Sequence, residues 1–125
     1  MDLFERPERL VVARLPHNAP WPEPPADDSL FSATRVDDEL SVVCGEAATP
    51  DGARVEPGWR ALTLVGPLDL SLIGVLAPLV GQLADAGLSV FVLSTFDTDH
   101  ILVRTADFDQ AVSALRSSGH SIRTR

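Results

Sequence analysis

Lysine is absent from this 125-residue chain, and its ten basic residues are all arginines scattered along the sequence. Against eighteen acidic residues they leave a formal net charge of −8. Phosphate backbones and anionic membranes are bound by concentrated positive charge, so this balance works against nucleic acid or membrane as a partner. Cysteine is nearly absent too. Cys44 stands alone, which excludes a disulfide within the chain and a thiolate metal cluster, and a reducing compartment is expected.

Long apolar runs are also missing. The stretches around Leu70–Leu83 and Leu88–Leu93 are too short or too polar to span a bilayer, which takes about 20 apolar residues. The opening MDLFERPERLVVARL is charged from its second residue and does not read as a signal peptide. A soluble cytoplasmic protein is expected. Catalytic signatures are lacking as well: there is no G-x-S-x-G, Walker loop or His-rich pattern, and Cys44 lies in SVVCG without a neighbouring His. Asp97, Asp99 and His100 alternate along an extended segment, which splits them between two faces as metal ligands. No enzymatic activity, catalytic residue, cofactor or metal is expected.

What is present is apolar residue enough for a packed core, at 45% of the chain. The first half reads as short strands between loops. Leu10–Leu15 is an apolar, β-branched run, and the prolines of PHNAPWPEPPADD then forbid a helix or central strand. Ser29–Val36 and Glu39–Val43 flank Asp37-Asp38 as a hairpin, and Glu46–Gly58 is a loop.

The second half has a clearer rhythm. Trp59–Val65 alternates with period two and stops at Gly66-Pro67. Asp69 suits the N-cap of a helix that places Leu72, Ile73, Leu76, Val80 and Leu83 on one face and ends at Gly87. Leu88–Thr95 and His100–Arg104 follow as strands joined by Phe96-Asp97-Thr98-Asp99. A last helix runs from about Ala106 to Ser118 with Phe108, Val112 and Leu115 inward, and His120–Arg125 is a short final strand. The order from Trp59 is βαββαβ, an α+β, ferredoxin-like arrangement of two helices on a mostly antiparallel sheet. Domain boundaries are expected at 1–58, a β-rich subdomain, and 59–125.

The βαββαβ order, with VGPLDLS at its first turn and STFDTDHILV across its middle strands, resembles the ACT domain, in particular the ACT-like proteins related to the CASTOR-type arginine sensors. The likeness covers Trp59 to about Ile122 and extends over SATRVDDELSVVC as a degenerate first half. It implies a regulatory module that binds a small molecule, an amino acid, where two units or subdomains meet, and a homodimer. It also implies ligand contacts for Gly66 and Asp69 in the first turn and for Thr95, Phe96 and Asp99 in STFDTD.

The same residues have physical roles of their own. Gly66 lets the backbone pass close to a ligand, whose carboxylate would meet the first N–H groups of the following helix, or simply makes the turn. Asp69 meets a ligand cation or caps a helix, which contributes roughly 1 kcal/mol. Asp97 and Asp99, two apart on a strand, would share one face and attract an ammonium or guanidinium, or else decorate a solvated turn. Ser71 offers a hydroxyl, Thr95 its carbonyl and Phe96 an apolar wall. His100 points to the opposite strand face and reads as structural. The ligand-free alternative is a protein-interaction or oligomerisation module that keeps the ACT shape.

Overall fold

A computed structural model describes residues 1–124 and divides into two units, Glu8–Trp59 and a larger one formed by Met1–Pro7 with the chain from Arg60 onward. In chain order the strands and helices are β1 (Asp2–Glu5), β2 (Leu10–Pro16), β3 (Ser32–Val36), β4 (Glu39–Gly45), β5 (Arg54–Leu64), α1 (Leu76–Asp85), β6 (Val90–Ser94), β7 (Asp99–Arg104), α2 (Phe108–Ser117) and β8 (Ser121–Thr124). The final strand expected to reach Arg125 is described as far as Thr124, and Arg125 lies outside the described residues.

In the larger unit the strands run in the order β6-β7-β5-β1-β8. From β5 onward this is the expected βαββαβ succession, with two helices on a mostly antiparallel sheet. One strand was not anticipated. β1 lies between β5 and β8, antiparallel to the first (Leu3↔Leu64) and parallel to the second (Leu3↔Ile122). Four residues carry too little periodicity to announce a strand; Leu3, 1% exposed, is what anchors it.

The core of this unit joins Leu3, Leu62, Leu64, Ile101, Val103 and Ile122 from the strands to Leu79, Leu83, Phe108, Ala111, Val112 and Leu115 from the helices. In β5, Leu62 and Leu64 point one way while Ala61 and Thr63 point the other, and all four are buried. α2 buries the three residues expected of it, with Ala111 between them. β6 departs from its expectation as a buried strand: among the described residues it pairs with β7 alone and is half-buried, while β7 carries the buried Ile101, Leu102 and Val103.

The first helix begins later than expected. The Asp69 carboxylate does not cap it; Oδ1 accepts the Ser71 N–H at 2.8 Å and the Ser71 hydroxyl at 2.7 Å, while the Asp69 carbonyl accepts the Leu72 N–H at 3.0 Å. These bonds close a local turn that competes with a helix for the same backbone groups. Gly74, at φ 73, then turns the chain out of the right-handed region, so α1 starts only at Leu76. Leu72 and Ile73, expected on the buried helix face, lie on the loop instead and are 54% and 96% exposed. The helix buries Leu79 and Leu83.

The smaller unit has strand order β3-β4-β2-β5, with the first half of β5 as its last member. β3 and β4 form the expected hairpin around Asp37-Asp38, pairing Val36 with Glu39. Its core is Val11, Ala13, Leu15, Leu40, Val42 and Cys44, flanked by Phe31 and small alanines. The proline-rich segment is fastened by Arg35, which donates to the Ala19 carbonyl at 2.8 Å and lies 5.4 Å from the Trp21 ring centroid.

Candidate functional site

Two loops of the larger unit meet at one end of its sheet. The first runs from Val65 to Val75, between β5 and α1; the second is the turn between β6 and β7. They are fastened by the Leu68 N–H, which donates to the Asp97 carbonyl at 2.6 Å, and by the Thr98 hydroxyl, which donates to the Leu64 carbonyl at 2.7 Å. Gly66 permits this approach. A Cβ there would stand 2.9 Å from the Asp97 carbonyl oxygen and 3.3 Å from the Thr98 Cβ. Glycine at this position thus serves the contact between protein loops.

The second loop is a tight turn. The Thr95 N–H donates to the Thr98 carbonyl at 2.8 Å, and the Thr95 hydroxyl donates to the same carbonyl while accepting the Thr98 N–H. Ser94 and Asp99 close the strand ends, with the Ser94 hydroxyl donating to Asp99 Oδ1 at 2.5 Å. Asp97 therefore does not share a strand face with Asp99 as expected. It sits inside the turn, two residues before β7 begins, because the Thr95–Thr98 bonds bend the backbone there.

Between the loops lies a groove of about 210 Å³. Of the residues expected at a ligand site, Asp69, Thr95, Phe96 and Asp99 line it. Gly66, Ser71 and Asp97 do not: Gly66 packs against the turn, Ser71 holds Asp69, and Asp97 gives its carbonyl to Leu68. Lining residues not singled out from the sequence are Leu68, Leu70, Leu72, Val75, Ser94 and Thr98. The doublets Ser94-Thr95 and Thr98-Asp99 flanking a short turn were the available signal for the last two; Leu72 was masked by its assignment to a helix face.

The groove is anionic and apolar together. Both hydrogen bonds from Ser71, the backbone one foremost, hold the Asp69 carboxyl below the ordinary carboxylate range. Leu70 is 69% exposed and Phe96 79%, so the groove has an uncovered apolar rim. Val75, also in the lining, is the residue before the first turn of α1, and no side chain caps that helix. Its leading N–H groups, those of Leu76 and Ala77 since Pro78 has none, and the positive end of its dipole lie beside the groove. Such an arrangement has a place for an ammonium and, a few bonds away, a place for a carboxylate.

His100 faces elsewhere. It is buried, with Nδ1 2.8 Å from the Thr63 hydroxyl, a structural position as expected. Cys44 is buried in the smaller unit, where desolvation raises its thiol pKa and keeps it an inert apolar filler. Among the described residues no three of His, Cys, Asp and Glu gather as metal ligands, and no helix is long and apolar enough to cross a membrane.

A family model of the ACT domain matches residues 54–117, the span that contains the groove. The chain belongs to the ACT domain family. A second model, described as an N-terminal domain, matches residues 8–52 of this ACT-domain protein. Among solved structures, a protein of Agrobacterium tumefaciens is 34% identical over 99% of this chain and 92% of its own, with a TM-score of 0.89. Aspartate kinase from Synechocystis matches at 18% identity and a TM-score of 0.68, over 97% of this chain and 27% of the kinase. The regulatory subunit of aspartate kinase from Thermus thermophilus matches at 12% and 0.58, over 90% of this chain and 93% of that subunit. At these identities the two kinases show a common fold. Comparison with curated proteins gives no match.

Proposed function

We propose that this ACT-domain protein is a cytoplasmic regulatory module that binds an amino acid in the groove between the first loop and the β6–β7 turn. The observation that carries the reading is the groove itself, which has Asp69 and Asp99 in its lining and the uncapped start of α1 beside it. The ligand ammonium is assigned to Asp99 and its α-carboxylate to the N–H groups at the head of α1. The likeness to a regulatory subunit of aspartate kinase supports a regulatory role. Membership of the subgroup related to the CASTOR-type arginine sensors is part of the proposal and makes arginine the first ligand to try. A second copy of the chain laid over the exposed rim would complete the site in a homodimer, and binding would then favour the paired state by contacting both subunits.

A thermal-shift screen of the purified protein against the common amino acids tests this. A ligand at 100 times its Kd stabilises the fold by about 2.7 kcal/mol, a readable shift in a chain of this size. Asp99→Ala should abolish the shift while its circular dichroism stays that of the parent. A variant that responds like wild type removes Asp99 from the site. The exposed rim also favours a second reading, a ligand-free module that docks a protein partner: Leu70, Leu72, Ile73 and Phe96 are each more than half exposed. Silence toward every amino acid, together with partner-dependent stabilisation, would select it.

A further inference from the structure

The groove's hydrogen-bonding capacity is unusually one-sided. A hydroxyl has a single proton to donate, and each hydroxyl of the lining has already committed it: Ser94 to Asp99 Oδ1, Thr95 to the Thr98 carbonyl and Thr98 to the Leu64 carbonyl. Several lining backbone donors are committed too. The N–H groups of Leu68, Leu72, Thr95 and Thr98 donate to Asp97, Asp69, Thr98 and Thr95 respectively. No arginine or histidine lines the groove. What its side chains still offer is acceptor capacity, since the second carboxylate oxygen of Asp69 and of Asp99 has no partner among the described residues.

We infer that the groove selects its ligand by charge and donor count: it takes an amino acid with one carboxylate and a side chain that is apolar or donates only, and rejects acidic amino acids. This rests on the reading of the groove as the ligand site. The charge provision for an anion is the head of α1, and no cationic side chain stands in the lining. A second carboxylate on the ligand side chain would find no side-chain donor in the lining and would lie beside Asp69 or Asp99, losing hydration and meeting like charge. An aliphatic or aromatic side chain instead lies against Leu70, Leu72 and Phe96, and a guanidinium or ammonium on an apolar stem finds the remaining carboxylate oxygens. The volume of about 210 Å³ fits the same class, being below the roughly 300–1,000 Å³ of pockets for drug-sized ligands.

Calorimetric titration of the full chain with leucine, phenylalanine, arginine, aspartate and glutamate tests the inference. At least one of the first three is expected to bind, with aspartate and glutamate weaker by about tenfold or more. In Asp69→Asn, which keeps the ammonium-binding Asp99 and still offers an Oδ1 acceptor to Ser71, that ratio should shrink because one repelling charge is gone. Aspartate or glutamate binding as tightly as the best of the others would overturn the charge selection and leave the groove standing as an amino-acid site. Failure of all five to bind would overturn the ligand-site reading itself, and this inference with it.

Discussion

The two units solve one problem, how to cover an apolar sheet face, in different ways. The larger lays α1 and α2 on its strands, and half of its core is leucine, beside Phe108, Ile101 and Ile122. The smaller has no α-helix among its described residues; its Val, Leu and Cys44 positions are flanked by Ala19, Ala33, Ala48, Ala53 and Phe31. A helix brings large side chains at helical spacing from outside the sheet, whereas the helix-free unit packs loop and strand residues, mostly alanines, beside its core. The groove belongs to the helical unit, and it is formed where one connection fails to become helix.

The sharpest way to break this comparison is to hollow out each core in turn. Leu83→Ala, at a fully buried position of α1, should cost about 2–5 kcal/mol. The probes separate the units, since both α-helices lie in the larger and both tryptophans, Trp21 and Trp59, in the smaller. Leu83→Ala is expected to move the helical circular-dichroism transition in urea more than the tryptophan fluorescence transition, and Leu40→Ala to do the reverse. Equal movement of both signals in both variants would mean that two cores do not make two stabilities.

A pair of glycines sharpens the same contrast within the larger unit. At Gly66 an added Cβ meets the Asp97 carbonyl oxygen at 2.9 Å and the Leu68 nitrogen at 3.2 Å, both backbone atoms that cannot swing aside. Gly66→Ala should therefore destabilise by about 1–3 kcal/mol and loosen the groove, so that any ligand-induced shift shrinks with it. At Gly81, inside α1, a Cβ meets nothing within 4 Å. Gly81→Ala should stabilise by about 0.5–1 kcal/mol through helix propensity alone. A Gly66→Ala melting temperature at or above that of the parent would count against the close loop contact.

These positions also show what the sequence disclosed and what it withheld. The βαββαβ succession was legible because Leu62, Leu64, Leu83 and the α2 positions repeat at the spacing of their elements, although Leu79, buried on the inner face of α1, was not picked out. The start of α1 was not, since Asp69-Leu70-Ser71 is equally good as a cap and as a local turn, and only Gly74 and the far contact of Leu68 with Asp97 decide between them. β1 escaped notice because its partners are about 60 and 120 residues away and its four residues say little alone. At the site, the sequence placed Asp69, Thr95, Phe96 and Asp99 together but misplaced Asp97. Whether a residue before a strand continues it or turns away is set by bonds such as Thr95–Thr98, which spacing does not reveal.

The smallest expected effect lies on His120, just before β8. Its Nδ1 is 3.1 Å from the Met1 ammonium and its Nε2 is 2.6 Å from Gln82 Oε1. An ammonium only donates, so Nδ1 accepts, and the ring proton sits on Nε2 and is donated to Gln82. Burial first, and the neighbouring ammonium second, push this imidazole below its ordinary pKa of 6.5. The folded state then takes up the proton at lower pH than the unfolded state. The contribution of His120 is thus fully present above the unfolded pKa and is lost as pH falls through the lower folded one. Thermal unfolding followed from about pH 7 to pH 5 should show a loss of stability that is smaller in His120→Gln. The glutamine can still donate to Gln82 but carries no titrating group, so an unchanged slope would place the acid sensitivity elsewhere, whereas a flattened one ties it to the junction of β1, α1 and β8.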